Sequence, residues 1–322
     1  MDKEFIAQNI KNVLKETDLP ELGQKRKGKV RDIYDQGDKL ILISTDRHSS
    51  FDRIIAHIPF KGQVLTGTSR WWFEKVKDII PNHVIDYPDP NVVVGKKYKI
   101  VPIEVVPRAY ITGSTNTSLW THYQNGKRDF GDFILPEGLK KNQKLEKTVL
   151  TITTKLEEHD RSLSSGEAVA EGLISAEIME KVKEAALRIF ERGQRIANEK
   201  GLILVDTKFE FGLDENNDLV LIDELLTPDS ARWWMLGSYE ERFRNGQDPE
   251  YFDKEFLRLW FKDKCDPYKD EVLPELPEDM IVEMASRYIQ IYEQIVGEKF
   301  EVDVTIPIEE RIKNNLRKYA KA

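Results

Sequence analysis

The chain has 322 residues, 40% of them hydrophobic, which suffices for a packed interior and predicts two domains or one domain with a large elaboration. Its 49 basic and 57 acidic residues leave a net charge of −8, which argues against bulk binding to nucleic acid or to an anionic membrane. One cysteine, Cys265, excludes an internal disulfide; with no leader-like start and no apolar run near the roughly 20 residues of a membrane span, a reducing, cytoplasmic setting is expected.

Phe5, Ile6, Ile10, Val13 and Leu14 recur at helical spacing and predict an amphipathic helix over 2–16. Residues 25–34, KRKGKVRDIY, then carry five basic side chains between Lys25 and Arg31, around Gly28. A basic hairpin with a glycine can cover nucleotide phosphates, because Gly lets backbone amides approach while Lys29 and Arg31 supply charge. A solvated surface or a nucleic-acid patch remains open for the same residues. The strand Leu40–Ser44 runs into TDRHSSFD at 45–52, either a polar binding loop at a strand end or simple capping of the next segment. His48, His57 and His83 have no metal-ligand spacing to a second His or Cys.

Thr68 or Ser69 is expected to cap a helix bearing Trp71, Trp72 and Val76 and stopping at Pro81, and residues 84–106 read as strands. Residues 126–163 are punctuated by glycine and proline and end in the polar cluster Lys155, Glu158, His159 and Asp160. Residues 167–200 are helical, closed by Gly201; 278–296 and 307–320 make two further helices, expected as a covering layer.

The stretch 202–233 carries the chemistry. Strand alternation puts Val205, Thr207, Phe209 and Phe211 on one face and Asp206, Lys208 and Glu210 on the other. The cluster Asp214–Asp218 predicts a turn into a second strand, Leu219–Ile222, that ends at Asp223-Glu224. With Asn216-Asn217 at its centre, Glu210 falls opposite Asp223. Carboxylates opposed at about 5 Å repel unless something positive lies between them, and Mg²⁺ held by two carboxylates and substrate phosphates is the usual solution. Lys208 could then hold a phosphate. The competing reading is a solvated polar face on an edge hairpin, and a slip of one residue would undo the pairing. Thr227, Asp229, Ser230 and Arg232 then form a turn suited to an anion.

GKVRDIY (28–34), TDRHSSFD (45–52), PIEVVPRAYITGS (102–114), VDTKFEFG (205–212) and DELLTPDSARWW (223–234) together resemble phosphoribosylaminoimidazole-succinocarboxamide synthase (SAICAR synthetase) in its longer, single-function form. The resemblance covers roughly residues 10–300. It implies a two-domain α+β or α/β protein of ATP-grasp-like architecture, with a small β-rich N-terminal domain (1–105) covering the nucleotide and a larger α/β domain (106–322). The implied reaction is an ATP- and Mg²⁺-dependent ligation of L-aspartate to carboxyaminoimidazole ribonucleotide in purine synthesis. No nucleic-acid or membrane partner is implied, and the oligomeric state stays open. By motif, Lys29, Val30 and Arg31 lie in the phosphate loop and Glu104 lies near the adenine. Lys208 touches phosphate, and Glu210 and Asp223 bind metal. Ser49, Asp52, Arg108, Ser114, Ser230 and Arg232 surround the ribonucleotide, and the Glu158-His159-Asp160 loop faces aspartate.

Two departures stand out. The chain has DRHSSFD where such proteins often read DRISAFD, and PDSAR where they often read PDSSR, so Ala231 lacks a hydroxyl beside Arg232. A small-molecule kinase that stops after phosphoryl transfer would share the nucleotide features. Aspartate-dependent phosphate release separates the two readings.

Overall fold

A computed structural model describes residues 1–115, 117–157, 161–252 and 254–320. From the N-terminus the elements are α1 (Lys3–Gln8), β1 (Gln24–Lys27), β2 (Arg31–Asp35), β3 (Lys39–Ser44), β4 (Arg47–Ser50), β5 (Arg53–His57), α2 (Lys61–Val76), β6 (Val84–Asp89), β7 (Val92–Lys96) and β8 (Lys99–Ile111). They continue with α3 (Leu119–Gln124), β9 (Gln143–Thr154), β10 (Ser162–Leu163), α4 (Ser165–Ala170), α5 (Ala176–Glu199), β11 (Leu202–Thr207), β12 (Phe209–Leu213), β13 (Leu219–Ile222) and β14 (Ala231–Met235). The last four are α6 (Leu236–Arg244), α7 (Glu255–Lys264), α8 (Glu278–Val296) and α9 (Ile308–Asn315). Among the described residues no helix is long and apolar enough to cross a membrane.

The chain forms two compact units, one of Met1–Trp71, His83–Lys97 and Phe256–Ala322, the other of Trp72–Asn82 and Tyr98–Glu255. These are not the consecutive segments 1–105 and 106–322. A break at 105 would cut β8, an unbroken strand, and the C-terminal helices join the first unit because their apolar stripes complete its core.

In the first unit, β1-β2-β3-β7-β6 form an antiparallel sheet, and β4 and β5 pair separately. One core joins Tyr34, Ile41, Ile43, Val92 and Val94 to Ile308 and Ile312 of α9, and a second joins Ile6 to Phe60, Met284, Tyr288 and Ile289. The N-terminal helix stops at Gln8 instead of running to 16. Beyond it, the Leu14 amide donates to Asp46 at 2.7 Å and the Thr17 amide to Asp32 at 2.7 Å, holding the chain against buried carboxylates rather than in a helix. The second helix begins at Lys61, so Thr68 and Ser69 are buried within it rather than capping it.

In the second unit the thirteen residues of β8 organise the sheet. It pairs antiparallel with β9, β11 and β12, while β14 joins β11 and β13 joins β12. Every ladder between strands is antiparallel, so this larger unit is α+β. Alternation buries Val101, Ile103 and Val105 on one face of β8 and leaves Glu104 and Arg108 for the other. Ser175 caps α5, which packs along β8 and β11. A side chain at Gly193 would come within 2.8 Å of Leu204, so glycine permits that approach.

Asp46, 1% exposed, accepts the Leu14 and Gly62 amides at 2.7 and 2.9 Å. Burial outweighs these bonds and pushes its carboxyl up to about 6. A carboxyl raised on folding contributes stability below its unfolded pKa and loses it as pH climbs through about 6, here by about 3 kcal/mol. Asp46→Asn, which sacrifices one acceptor, is expected to be less stable at pH 4, with the gap to wild type narrowing by pH 7. Urea unfolding across this range checks it; a constant gap contradicts it.

Candidate active site

In the second unit Glu104 on β8 lies directly across from Glu210 on β12, and both are largely buried. Their flanking residues Ile103, Val105, Phe209 and Phe211 are core, so alternation forces both carboxylates onto the polar face. Two ammonium groups make the arrangement stable. Lys208 reaches Glu104 at 2.9 Å and Glu210 at 2.6 Å; Lys155 reaches the same pair at 3.1 and 2.5 Å. The result is a ring of alternating charge.

Asp223 adds a third carboxylate by a route that simple pairing does not foresee. The register is Glu210 with Ile222 rather than with Asp223, because a five-residue loop, 214–218, joins β12 to β13. Asp214 ties that loop by accepting the Asn216 and Asp218 amides, both at 2.8 Å, and Asn217 takes a positive φ of 62°. The one-residue slip would send Asp223 to the other face in a continuing strand. Instead Asp223 has left the strand with φ 71°, and its charge is felt by Glu210 and Lys208.

Burial raises the Glu210 carboxyl, and Asp223 raises it further against the pull of the lysines. Burial acts the same way on Glu104, but Lys208 and Lys155 outweigh it and the net shift is downward. Lys208 would be depressed by burial; Glu210, Glu104 and Asp223 reverse this and hold it charged. Three carboxylates facing two ammonium groups leave one negative charge, an environment suited to a further cation.

A second cluster lies along the same sheet. Asp206 pairs across to Arg108 on β8 and to Arg232 on β14, and one of its oxygens accepts from both guanidiniums, at 2.8 and 2.7 Å. Thr151 accepts from Arg108 at 2.9 Å, and Glu255 lies 3.8 Å from Arg232. Burial lowers the Arg108 pKa and neighbouring Arg232 adds to the effect, so a second anion would be favoured here. Gly113, at φ 107°, leaves the turn before Ser114 open beside Arg232; a Cβ there would meet Ser118 at 2.5 Å. Ser230 is held in a tight turn, its hydroxyl taking the Thr227 amide at 3.1 Å while the Thr227 hydroxyl takes its amide at 3.2 Å. Lys254 anchors the same turn through Asp229 at 2.9 Å. Ala231 starts β14 opposite Thr207, on the face away from Arg232, so a hydroxyl there would not stand beside that guanidinium.

The remaining candidates lie in the first unit. The β1–β2 turn brings Lys29 within 2.5 Å of Asp52, an exposed pair, while Lys25 and Lys27 both bind Glu16, at 2.6 and 2.5 Å. Those last two lysines are thus engaged locally rather than arrayed for a nucleic acid. Gly28 has an ordinary φ; a side chain there would sit 3.0 Å from the Arg31 carbonyl, so it serves a tight turn. Val30 completes the turn, Arg31 opens β2, and Ser49 is buried in β4. Phe51 and Asp52, at φ 55° and 59°, form the two-residue turn between β4 and β5. His48 is fully buried against Tyr288, their rings 6.1 Å apart, so this departure is a packing residue.

Lys155 and Asp206 are the members that sequence reasoning left without a role in these clusters. Lys155 follows β9, whose β-branched run Thr148–Thr154 was a strand signal obscured by the surrounding glycines and prolines. Glu158, His159 and Asp160 lie outside the described residues.

The family model for SAICAR synthetase matches residues 24–275. The chain belongs to the SAICAR synthetase family. It is 55% identical over 307 residues to the phosphoribosylaminoimidazole-succinocarboxamide synthase of Legionella pneumophila strain Paris, covering 95% of this chain and 98% of that one. The chloroplastic enzyme of Arabidopsis thaliana is 51% identical, covering 96% of this chain and 77% of its own length. Among solved structures, SAICAR synthase from Saccharomyces cerevisiae, complexed with SAICAR, superposes with TM-score 0.77 at 32% identity, covering 90% of this chain and all of that one. A SAICAR synthetase in complex with ADP gives 0.66 at 28% identity, covering 87% and 100%. Membership of the SAICAR synthetase family makes the chain an ATP-dependent ligase of purine biosynthesis.

Two buried guanidiniums share Asp206, so its loss leaves uncompensated charge. Asp206→Ala is expected to cost about 3 kcal/mol or more, far more than Asp52→Ala at the exposed pair. Denaturant unfolding measures both; equal losses would show that burial does not set the strength of the Asp206 links.

Proposed function

We propose that the chain joins the carboxylate of carboxyaminoimidazole ribonucleotide to the amine of L-aspartate through an acyl phosphate, within an ATP-grasp-like fold. The supporting observation is the Glu104–Lys155–Glu210–Lys208 ring beside Asp223.

A carboxylate resists attack by an amine. The ribonucleotide carboxylate oxygen therefore first attacks the γ-phosphorus of ATP, and ADP leaves. The aspartate amine then attacks the acyl carbon, phosphate departs, and the nitrogen loses a proton as the amide forms. Lys208 neutralises the transferred phosphoryl group, and Lys29, Val30 and Arg31 hold the nucleotide phosphates. Arg108 and Arg232, oriented by Asp206, hold the ribonucleotide together with Ser114 and Ser230.

Glu210 and Asp223 fit a hard divalent ion. They offer carboxylate oxygens, and burial followed by the neighbouring Asp223 charge raises the Glu210 carboxyl, a cost that a cation relieves. Among the described residues no cluster of three or more His, Cys, Asp or Glu could hold a metal, so phosphate and water would complete the shell of Mg²⁺. When bound, the ion supplies positive charge to the phosphate oxygens. The names of relatives, the SAICAR and ADP complexes among them, support the same substrates.

Glu210→Gln and Asp223→Asn are expected to lower aspartate-dependent phosphate release at least 100-fold while the far-UV spectrum stays unchanged. Turnover near wild type in either variant refutes the metal assignment. Phosphoryl transfer that continues without aspartate, with no amide formed, would instead mark a kinase.

A further inference from the structure

Arg47 opens β4 and is 1% exposed, yet its guanidinium is spent on the β1–β2 turn. Nε donates to the Lys29 carbonyl at 3.2 Å and Nη2 to the Gly28 carbonyl at 3.0 Å. Nη1 donates to the Lys15 carbonyl at 2.7 Å. Charge balance comes from Asp32, fully buried, which accepts from Nη2 at 2.8 Å and takes the Thr17 amide and hydroxyl at 2.7 and 3.0 Å on its other oxygen. Next to Arg47, the Thr45 amide and hydroxyl donate to the Val30 carbonyl at 2.9 and 2.8 Å. The carbonyls of three consecutive residues, Gly28, Lys29 and Val30, are thus drawn to one side.

In a planar trans peptide the N–H points away from the preceding carbonyl, and no described peptide bond is cis. Fixing the Gly28 and Lys29 carbonyls inward therefore turns the Lys29 and Val30 amides outward, side by side. Consecutive amides so turned form a concave anion site. Burying a guanidinium–carboxylate pair carries a desolvation penalty that a merely structural turn would avoid. A lysine could not replace the fork, since one ammonium cannot span three carbonyls and a carboxylate in this geometry.

We propose that Arg47 is a positioning residue for nucleotide binding: it holds the β1–β2 turn so that the Lys29 and Val30 amides face the phosphates of ATP. The inference rests on reading this turn as the phosphate loop. It also assigns a second task to TDRHSSFD, whose Ser49 and Asp52 belong to the same β4–β5 hairpin.

The test is steady-state kinetics of the full chain with ATP and aspartate varied separately. Arg47→Lys keeps the charge opposite Asp32 and is expected to raise the ATP KM about tenfold with the aspartate KM unchanged. A purely structural role would lower kcat through a smaller folded fraction and leave both KM values alone, which would overturn the inference. If Arg47→Lys fails to fold, Thr45→Val decides: it removes the hydroxyl bond to Val30 and the long 3.4 Å bond that the hydroxyl accepts from the Arg47 amide, and an ATP KM raised about threefold supports the proposal while an unchanged one overturns it. Lys29→Ala separates the two layers of argument. If it raises the ATP KM and Arg47→Lys does not, the positioning role alone falls; if neither does, the phosphate-loop reading falls with it.

Discussion

The structure depends on two largely buried glutamates that directly face one another across neighbouring strands. Without counter-ions, Glu104 and Glu210 would drive β8 and β12 apart. Lysines at 2.5–3.1 Å turn that repulsion into cohesion, and they do so only at this register of the sheet. A strand slip would bury the charges of one element against the core face of the other. Gly212 marks the irregularity that lets β12 hold this register, because a side chain there would run into Tyr98 at 2.8 Å. The chemistry and the strand pairing are thus the same constraint.

Along one sheet the charge is divided unevenly. Glu104, Glu210 and Asp223 outnumber Lys155 and Lys208, while Arg108 and Arg232 both bind Asp206 and Glu255 lies 3.8 Å from Arg232. One end therefore attracts a cation, the other presents two guanidiniums, and strand β8 spans both, with Glu104 and Arg108 four residues apart on one face. Strands carry Glu104, Arg108, Asp206, Glu210 and Arg232, and Lys155, Lys208 and Asp223 each stand one residue beyond a strand end, which suits a reaction needing a nucleotide, a metal and an anionic substrate in fixed alignment.

Much of this was legible in the residues. Alternation alone put Asp206, Lys208 and Glu210 on one face, and the family motifs assigned Lys208 a phosphate and Glu210 a metal. The hairpin register was misread by one residue because Asp214 ties a five-residue loop where a tighter turn was expected. Asp223 still reaches the cluster through a left-handed backbone that strand logic does not anticipate. The short N-terminal helix was also invisible to periodicity, since side-chain acceptors at Asp32 and Asp46, distant in sequence, decide where it ends. Lys155 was seen, but its partner Glu104 sits 51 positions away and only the β8–β9 pairing joins them.

The first compact unit takes its members from both ends of the chain. Ile6, Phe60 and Met284 occupy one core, and α9 closes the other. A ribosome delivers the second unit almost whole, from Tyr98 to Glu255, before the last segment of the first exists. Residues 1–71 and 83–97 therefore keep the apolar surface meant for α8 uncovered until that helix has been made. The sheet bearing the carboxylate ring can fold first, while the core of the first unit stays open to chaperones and proteases until its C-terminal helices have been made.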